Sequence, residues 1–461
     1  METGKMDKEQ KSLMVQKVDK SLLNAIYSCR DANKLFDLAR HYGRFHWFNL
    51  TDRWSHTDLE NYIFNLIEPR LPQFTPAKNR TTVTHVLSEG YDTGGHTPLC
   101  VNLIKEQKAH GDDVELIITR SATQSIIDEL RNAQVPIKST PATGVAQMLQ
   151  LAQAFMQSKA VVLHINPDDI TACLAVMIAE RSGIPCYFVN HANIHFAYGP
   201  SQCSAILEIT ASSWLSSQKY RHPKAQSFLG IPASDLDIGA LRKTGTSEID
   251  IDAPYFISVG TPLKYRFGSS NDFLEFIEFL CGKKKQKLLL IGPGDHAALI
   301  NLSPDARNNL IVKGMVARDQ TLALMANAKA YIDSFPEGGG TSVVNAMKLG
   351  LPIFGYRISE GMYGDDFLST SMADLQEKVS DFIAKGPDET VLAERSSFIR
   401  SKMSINACRD RLLATINGER IPVPYDYDTG NMDLTFHHQK WKENTDIFIP
   451  PIINLNKTPA S

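Results

Sequence analysis

The stretch Tyr331–Gly355, YIDSFPEGGGTSVVNAMKLGLPIFG, decides how the rest of the chain is read. Tyr331 and Ile332 open it as a short buried strand, Glu337 and the glycines Gly338, Gly339 and Gly340 follow, and Thr341 to Leu349 has helix-forming composition up to Gly350-Leu-Pro352. A strand, a glycine turn and a helix are expected. Glycines let the backbone approach a ligand closely, and the first-turn N–H groups of the helix, with Thr341 or Ser342 as cap, would point toward an anion such as a phosphate. Asn345 lies one turn further on, on the face of Thr341 and Ser342. It and Glu337 would then reach hydroxyl groups on whatever carries the phosphate. The plainer alternative is a strand, loop and helix whose glycines serve close packing alone.

Upstream of this stretch, strands and helices alternate. Tyr255–Val259, Leu288–Ile291 and Leu310–Lys313 read as strands, with helices at Asp272–Leu280 and Gln320–Ala328. Downstream, Ser371–Ala384 reads as a helix stopped by Gly386. The polar, aperiodic Ala233–Ala253 is placed as an interdomain linker. Before it lies a second alternating unit, with strands at Val83–Leu87, Val114–Thr119, Val161–Ile165, Cys186–Asn190 and Ala205–Ile209, and helices at Thr97–His110, Ala142–Gln157 and Ile170–Ser182. Alternation of this kind implies parallel sheets with helices on both faces and ligands at the carboxyl ends of the strands.

Residues 1–76 differ, with apolar residues at helical spacing (Leu22, Leu23, Ile26; Leu35, Leu38; Leu59, Ile63, Leu66) closed by Pro69, Pro72 and Pro76. They form an expected helical extension, ahead of domains at 77–245 and 246–415 and a tail at 416–461. The aromatic cluster Phe45, His46, Trp47, Phe48 and Trp54 is assigned to packing. Lys5, Lys8, Lys11, Lys17 and Lys20 sit near Leu13, Met14, Leu22 and Leu23, which leaves peripheral contact with a membrane open, although such a run usually marks a solvated helix face.

Composition sets limits on function. With 461 residues, 43% apolar and 21% charged, the chain can build two or three cores, and a net charge of -3 gives no general reason to expect nucleic acid. Its seven cysteines lack CxxC spacing, so reduced thiols are expected and neither a disulfide framework nor a zinc site. No signal-like segment and no run of about 18 apolar residues is present, so a cytoplasmic location is expected.

Glu337, Gly338, Gly340, Asn345-Ala-Met, Gly350 and Pro352 resemble the donor-binding signature of GT-B glycosyltransferases of the retaining family-four type. The resemblance covers about residues 80–415 and implies two Rossmann-like units facing a cleft. It further implies a sugar transfer from a nucleotide donor, most of all a UDP-sugar, without a metal or other cofactor. The acceptor (glycan, lipid-linked or protein) is left unassigned. Glu337 would contact the donor sugar, and Asn345 stands where the family has a second carboxylate on the ribose. The turn Gly338–Thr341 with Ser342 would bind the diphosphate together with Lys264. Arg266 could stand in for the family's usual Arg, a position held here by Thr261. Backbone groups around Val316 would line the nucleobase. In the first unit, the loop Asp92-Thr-Gly94-Gly95-His96 is similar to a glycine turn of other GT-B enzymes. There His96, with Asp92 projecting into the same cleft, would act as base if the reaction inverts configuration. His191, at a strand end, is placed where relatives contact the donor sugar. His85 and His164 fall within strands and are assigned to the core or to hydrogen bonding. A nucleotide-sugar epimerase and a non-catalytic nucleotide-sugar scaffold remain as alternatives. A dinucleotide dehydrogenase is disfavoured, because Gly292-Pro-Gly294-Asp-His-Ala297 is followed by a strand that ends at Lys313 instead of an acid.

Overall fold

The computed structural model describes residues 7–92, 95–234, 237–243, 254–265, 272–356, 368–427, 434–435, 438–439, 442 and 447–453. The chain divides into two compact units. One contains Met1–Leu229, Arg409–Val423 and His437–Ser461, the other Gly230–Cys408 and Pro424–Phe436.

The first unit is built on a seven-stranded sheet of β1 (Val83–Gly90), β2 (Val114–Ala122), β3 (Ile137–Ser139), β4 (Ala160–His164), β5 (Cys186–Val189), β6 (Ala205–Glu208) and β7 (Gln226–Phe228), in the order β3-β2-β1-β4-β5-β6-β7. Every pairing is parallel. Central strands of such a sheet are covered on both faces, so they read as continuous apolar runs; all five residues of AVVLH in β4 are buried. The helix Ile170–Arg181 is buried nearly all round, and Asp169 caps it by accepting from the Ala172 N–H at 3.1 Å. The three-residue β3 and β7 have no apolar alternation to announce them, and β3 is largely exposed at the sheet edge.

Helices Lys8–Ser28, Ala32–Asn49 and Thr57–Ile67 do not stand apart from this unit. Val18, Leu22, Ile26, Phe36, Ala39, Phe45, Leu59 and Ile63 share one core with Leu151, Phe155, Leu174 and Ile178 of the sheet-covering helices. The apolar stripe of the first helix is therefore used internally. Lys11 is itself buried, and Leu13 is left 60% exposed. Lys5 lies outside the described residues. In the aromatic cluster, Trp54 is stacked between Tyr220 and His438, with ring centroids 4.6 Å away on each side. The end of the chain also belongs here: Ile421 O accepts from the Phe228 N–H at 2.8 Å, and Asn49 bonds both the N–H and the C=O of Phe448.

The second unit has six strands, β8 (Phe256–Val259), β9 (Leu288–Ile291), β10 (Leu310–Lys313), β11 (Ala330–Ile332), β12 (Ile353–Tyr356) and β13 (Leu368–Ser369), all parallel, in the order β10-β9-β8-β11-β12-β13. The linker stretch contains a short helix, Ile238–Lys243. All seven cysteines are free thiols. No described helix is long and apolar enough to cross a membrane.

Ile332 is fully buried in β11 among Phe256, Leu290 and Phe335. Truncation to alanine leaves a cavity that the flanking parallel strands cannot close. Ile332→Ala is expected to cost about 2–5 kcal/mol in equilibrium denaturation.

Candidate functional site

In an open parallel sheet the ligand crevice forms where the strand order reverses, because neighbouring crossover connections leave in opposite directions there. In the second unit that point lies between β8 and β11. The two loops that leave these strands carry Lys264 and the Glu337–Gly340 turn, and they are bonded to each other. Lys264, in the short helix Pro262–Tyr265, places Nζ 2.5 Å from the carbonyl oxygen of Gly338. The Glu337 N–H returns the bond to the Lys264 carbonyl at 3.1 Å.

Asp333, which the sequence reading did not single out, shapes this turn. It is buried directly after β11, and its Oδ1 accepts from the Ser334 N–H at 2.9 Å and the Gly339 N–H at 2.8 Å. Its signal was present in the sequence, as an Asp at a strand end six residues before the glycine it captures. A Cβ at Gly339 would lie 2.3 Å from Ser342 Oγ and 2.9 Å from Asp333 Oδ1, so any larger residue would have to displace the side chains that shape the turn.

The helix Thr341–Lys348 follows as expected, but its N-cap is Gly340, and neither Thr341 nor Ser342 caps it. A side-chain cap would need a hydroxyl at position 340, which glycine lacks. The Ser342 hydroxyl instead meets Tyr331 OH. Asn345 is buried, and its Oδ1 accepts from the Ser234 N–H at 2.8 Å. Ser234 is held a second and third time, through Oγ by Arg318 at 2.8 Å and through its carbonyl by Lys348 Nζ at 2.6 Å. Half of the Asn345 amide thus anchors the segment that enters this unit. Val316 is half-buried in the loop after β10. Gly292 owes its place to packing: its φ is +110°, and a Cβ would fall 2.1 Å from the Gly260 carbonyl oxygen. Arg266 and the Ile358–Asp366 stretch lie outside the described residues.

In the first unit the strand order reverses between β1 and β4. Asp92 and His96 do not point into a common space there. Asp92 is exposed and accepts from the Ser125 hydroxyl and from Thr123 Oγ1 at 2.8 Å, contacts that hold its carboxyl below its usual range. His96, the first residue of the helix His96–Ala109, turns inward and donates from Nε2 to the His164 carbonyl at 3.0 Å. Gly95 caps that helix without a side-chain bond, and Gly94 lies outside the described residues.

His96 belongs to a cluster of four imidazoles. Its ring centroid lies 4.3 Å from that of His191. His191 Nε2 is 2.9 Å from His164 Nδ1, His164 Nε2 is 3.0 Å from His85 Nδ1, and His85 Nε2 is 2.7 Å from Gln107 Oε1. Burial away from water disfavours the charged form of all four and pushes His85 and His96 down to about 4. They are neutral at pH 7. Alongside, Arg120 bridges Asp168 at 2.9 Å and Glu89 at 3.4 Å, and Asp169 Oδ2 accepts from Ser88 and Thr119, which ties the ends of β1, β2 and β4 together. Among the described residues, no group of three or more His, Cys, Asp or Glu could hold a metal ion.

Two outcomes follow. Asp333→Ala leaves two N–H groups without their acceptor, and a loss of about 1–3 kcal/mol is expected in urea denaturation. The histidines set a pH dependence: the unfolded chain takes up their protons near pH 6.5, whereas folded His85 and His96 resist until about 4. Stability should therefore fall as the pH drops from about 6.5 toward 4. Melting temperatures across that range should decline less steeply in a His96→Asn, His191→Asn double variant.

No family model matches the chain, and no curated protein matches it in sequence. Solved structures do. A glycosyltransferase from Rickettsia africae is 14% identical with a TM-score of 0.57 over 74% of this chain and 100% of that one. HepE of Anabaena, in complex with UDP, is 12% identical with a TM-score of 0.58 over 73% and 100%. An O-GlcNAc transferase mutant from Thermobaculum terrenum is 13% identical with a TM-score of 0.51 over 93% and 81%. With its two parallel α/β sheets, this chain has the GT-B fold found in those glycosyltransferases.

Proposed function

We propose that the chain is a glycosyltransferase that moves a sugar from a nucleotide donor, a UDP-sugar, to an acceptor of a class still to be identified. The observation that carries this reading is the contact between Lys264 and Gly338 at the β8/β11 reversal. It sets an ammonium group against a glycine turn that leads into a helix with no side-chain cap. An ammonium beside oriented N–H groups is the arrangement that stabilises charge growing on a departing nucleoside diphosphate.

In this reading the Gly338–Thr341 turn, Ser342 and Lys264 take the diphosphate and Glu337 takes the sugar. Backbone groups around Val316 take the base, and Asn345 donates from Nδ2 toward the ribose. No metal or other cofactor is called on. If the sugar keeps its configuration, the leaving phosphate accepts the acceptor's proton. If it inverts, neutral His96 is the better base of the two candidates, because Asp92 is tethered to Thr123 and Ser125. A nucleotide-sugar-binding scaffold is the second reading, and the observation that favours it is the commitment of Asn345 Oδ1 to the Ser234 backbone.

The test is release of nucleoside diphosphate from a panel of UDP-, GDP- and ADP-sugars. One donor is expected to turn over, with Glu337→Ala inactive and Lys264→Ala slowed about 100-fold or more. Binding without release from any donor would favour the scaffold, and no binding of any nucleotide sugar in calorimetry would overturn both readings.

A further inference from the structure

The imidazole cluster carries information beyond its burial. A neutral imidazole has one N–H donor and one bare nitrogen acceptor. Three of them in series must therefore all point the same way. Gln107 Oε1 can only accept, so the 2.7 Å contact makes His85 Nε2 the donor and leaves His85 Nδ1 bare. His164 Nε2 must then donate to His85 Nδ1 across 3.0 Å, and His191 Nε2 must donate to His164 Nδ1 across 2.9 Å. This leaves Nδ1 of His191 as a lone pair. His96 reaches the same state separately, because the carbonyl that its Nε2 faces at 3.0 Å can only accept.

We propose that Gln107, His85 and His164 are positioning residues that hold His191 in the Nε2–H tautomer. His191 and the adjacent His96 then present two bare Nδ1 acceptors at the carboxyl ends of β5 and β1. A pair of neutral acceptors recognises O–H or N–H donors and repels the oxygen atoms of a phosphate. The ligand class it fits is a polyhydroxylated one. That consequence rests on the proposed transfer of sugar, in which the hydroxylated ligand at this edge is a sugar. The tautomer assignment does not depend on it.

The arrangement is more specific than packing needs. Gln107 and His85 are fully buried, and Gln107 Nε2 has no hydrogen-bond partner. An amide placed only to satisfy buried groups would not leave a donor unpaired. Here the oxygen takes the one position that sets the direction of the chain, and the orphan N–H is the energetic cost. Gln107 itself lies in the helix His96–Ala109, whose first residue is the other acceptor, so one rigid element carries both ends of the device.

The test is nitrogen-15 NMR of the ligand-free full chain with labelled histidine, with His191 and His96 assigned through His191→Asn and His96→Asn. Protonated and bare ring nitrogens resonate far apart, and no donor or activity is needed, so the result is independent of the proposed reaction. His191 and His96 are both expected as single Nε2–H tautomers at pH 7. In Gln107→Met, which removes the directing oxygen at similar volume, His191 should become a mixture of two tautomers while His96 stays unchanged. The same change is expected in His85→Leu, which breaks the chain at its first link. An Nδ1–H tautomer of His191 in the unaltered protein overturns the proposal, and that spectrum suffices even if neither variant folds. An unchanged His191 in a folded Gln107→Met variant overturns it equally.

Discussion

A parallel strand cannot return through a hairpin; it needs a crossover, and consecutive crossovers of one hand bring every strand's carboxyl end to the same edge of the sheet. Both sheets here are parallel throughout, so each unit has one chemically loaded edge and one plain edge. Polar residues that are far apart in sequence meet on the loaded edge because the topology leaves them nowhere else. Lys264 and Gly338 are joined across a reversal of strand order, as are His96, after β1, and His164, at the end of β4.

The two units treat their polar edges differently. In the second, a carboxylate is spent on shaping backbone: Asp333 captures Gly339 and fixes the turn. In the first, His85 and His164 are fully buried with His96 and His191 half-buried against them, and the rings of His85, His164 and His191 are joined nitrogen to nitrogen. Burial makes such a group costly to charge and therefore specific in what it can accept. The Arg120, Asp168 and Glu89 cluster beside it shows the other solution, in which charges are buried only as partners.

Several elements were readable from residue pattern. AVVLH and LLLI are long enough and apolar enough to be central strands in any parallel sheet. The strand, glycine turn and helix at Tyr331 could be drawn with nearly correct ends, because glycine and proline punctuate it. The short β3 and β7 were not readable, since three residues at a sheet edge show no period. The packing of the first three helices against the sheet-covering helices was hidden for another reason. An amphipathic stripe states that a helix covers something apolar and does not say what.

The same division runs through the sites. Residue order alone determined the alternation, the glycine turn, the Lys264 loop and the presence of histidines near strand ends, because each is a local consequence of spacing and residue type. Tertiary structure decided which of these groups meet. It turned Asp92 outward to Thr123 and Ser125, tied Asn345 Oδ1 to Ser234, and linked His85, His164 and His191 into one directed chain. Hydrogen-bond partners are chosen by distance in space after the chain has packed. A residue's donors and acceptors can be counted from its identity, but their direction is set only by the neighbours that the fold supplies.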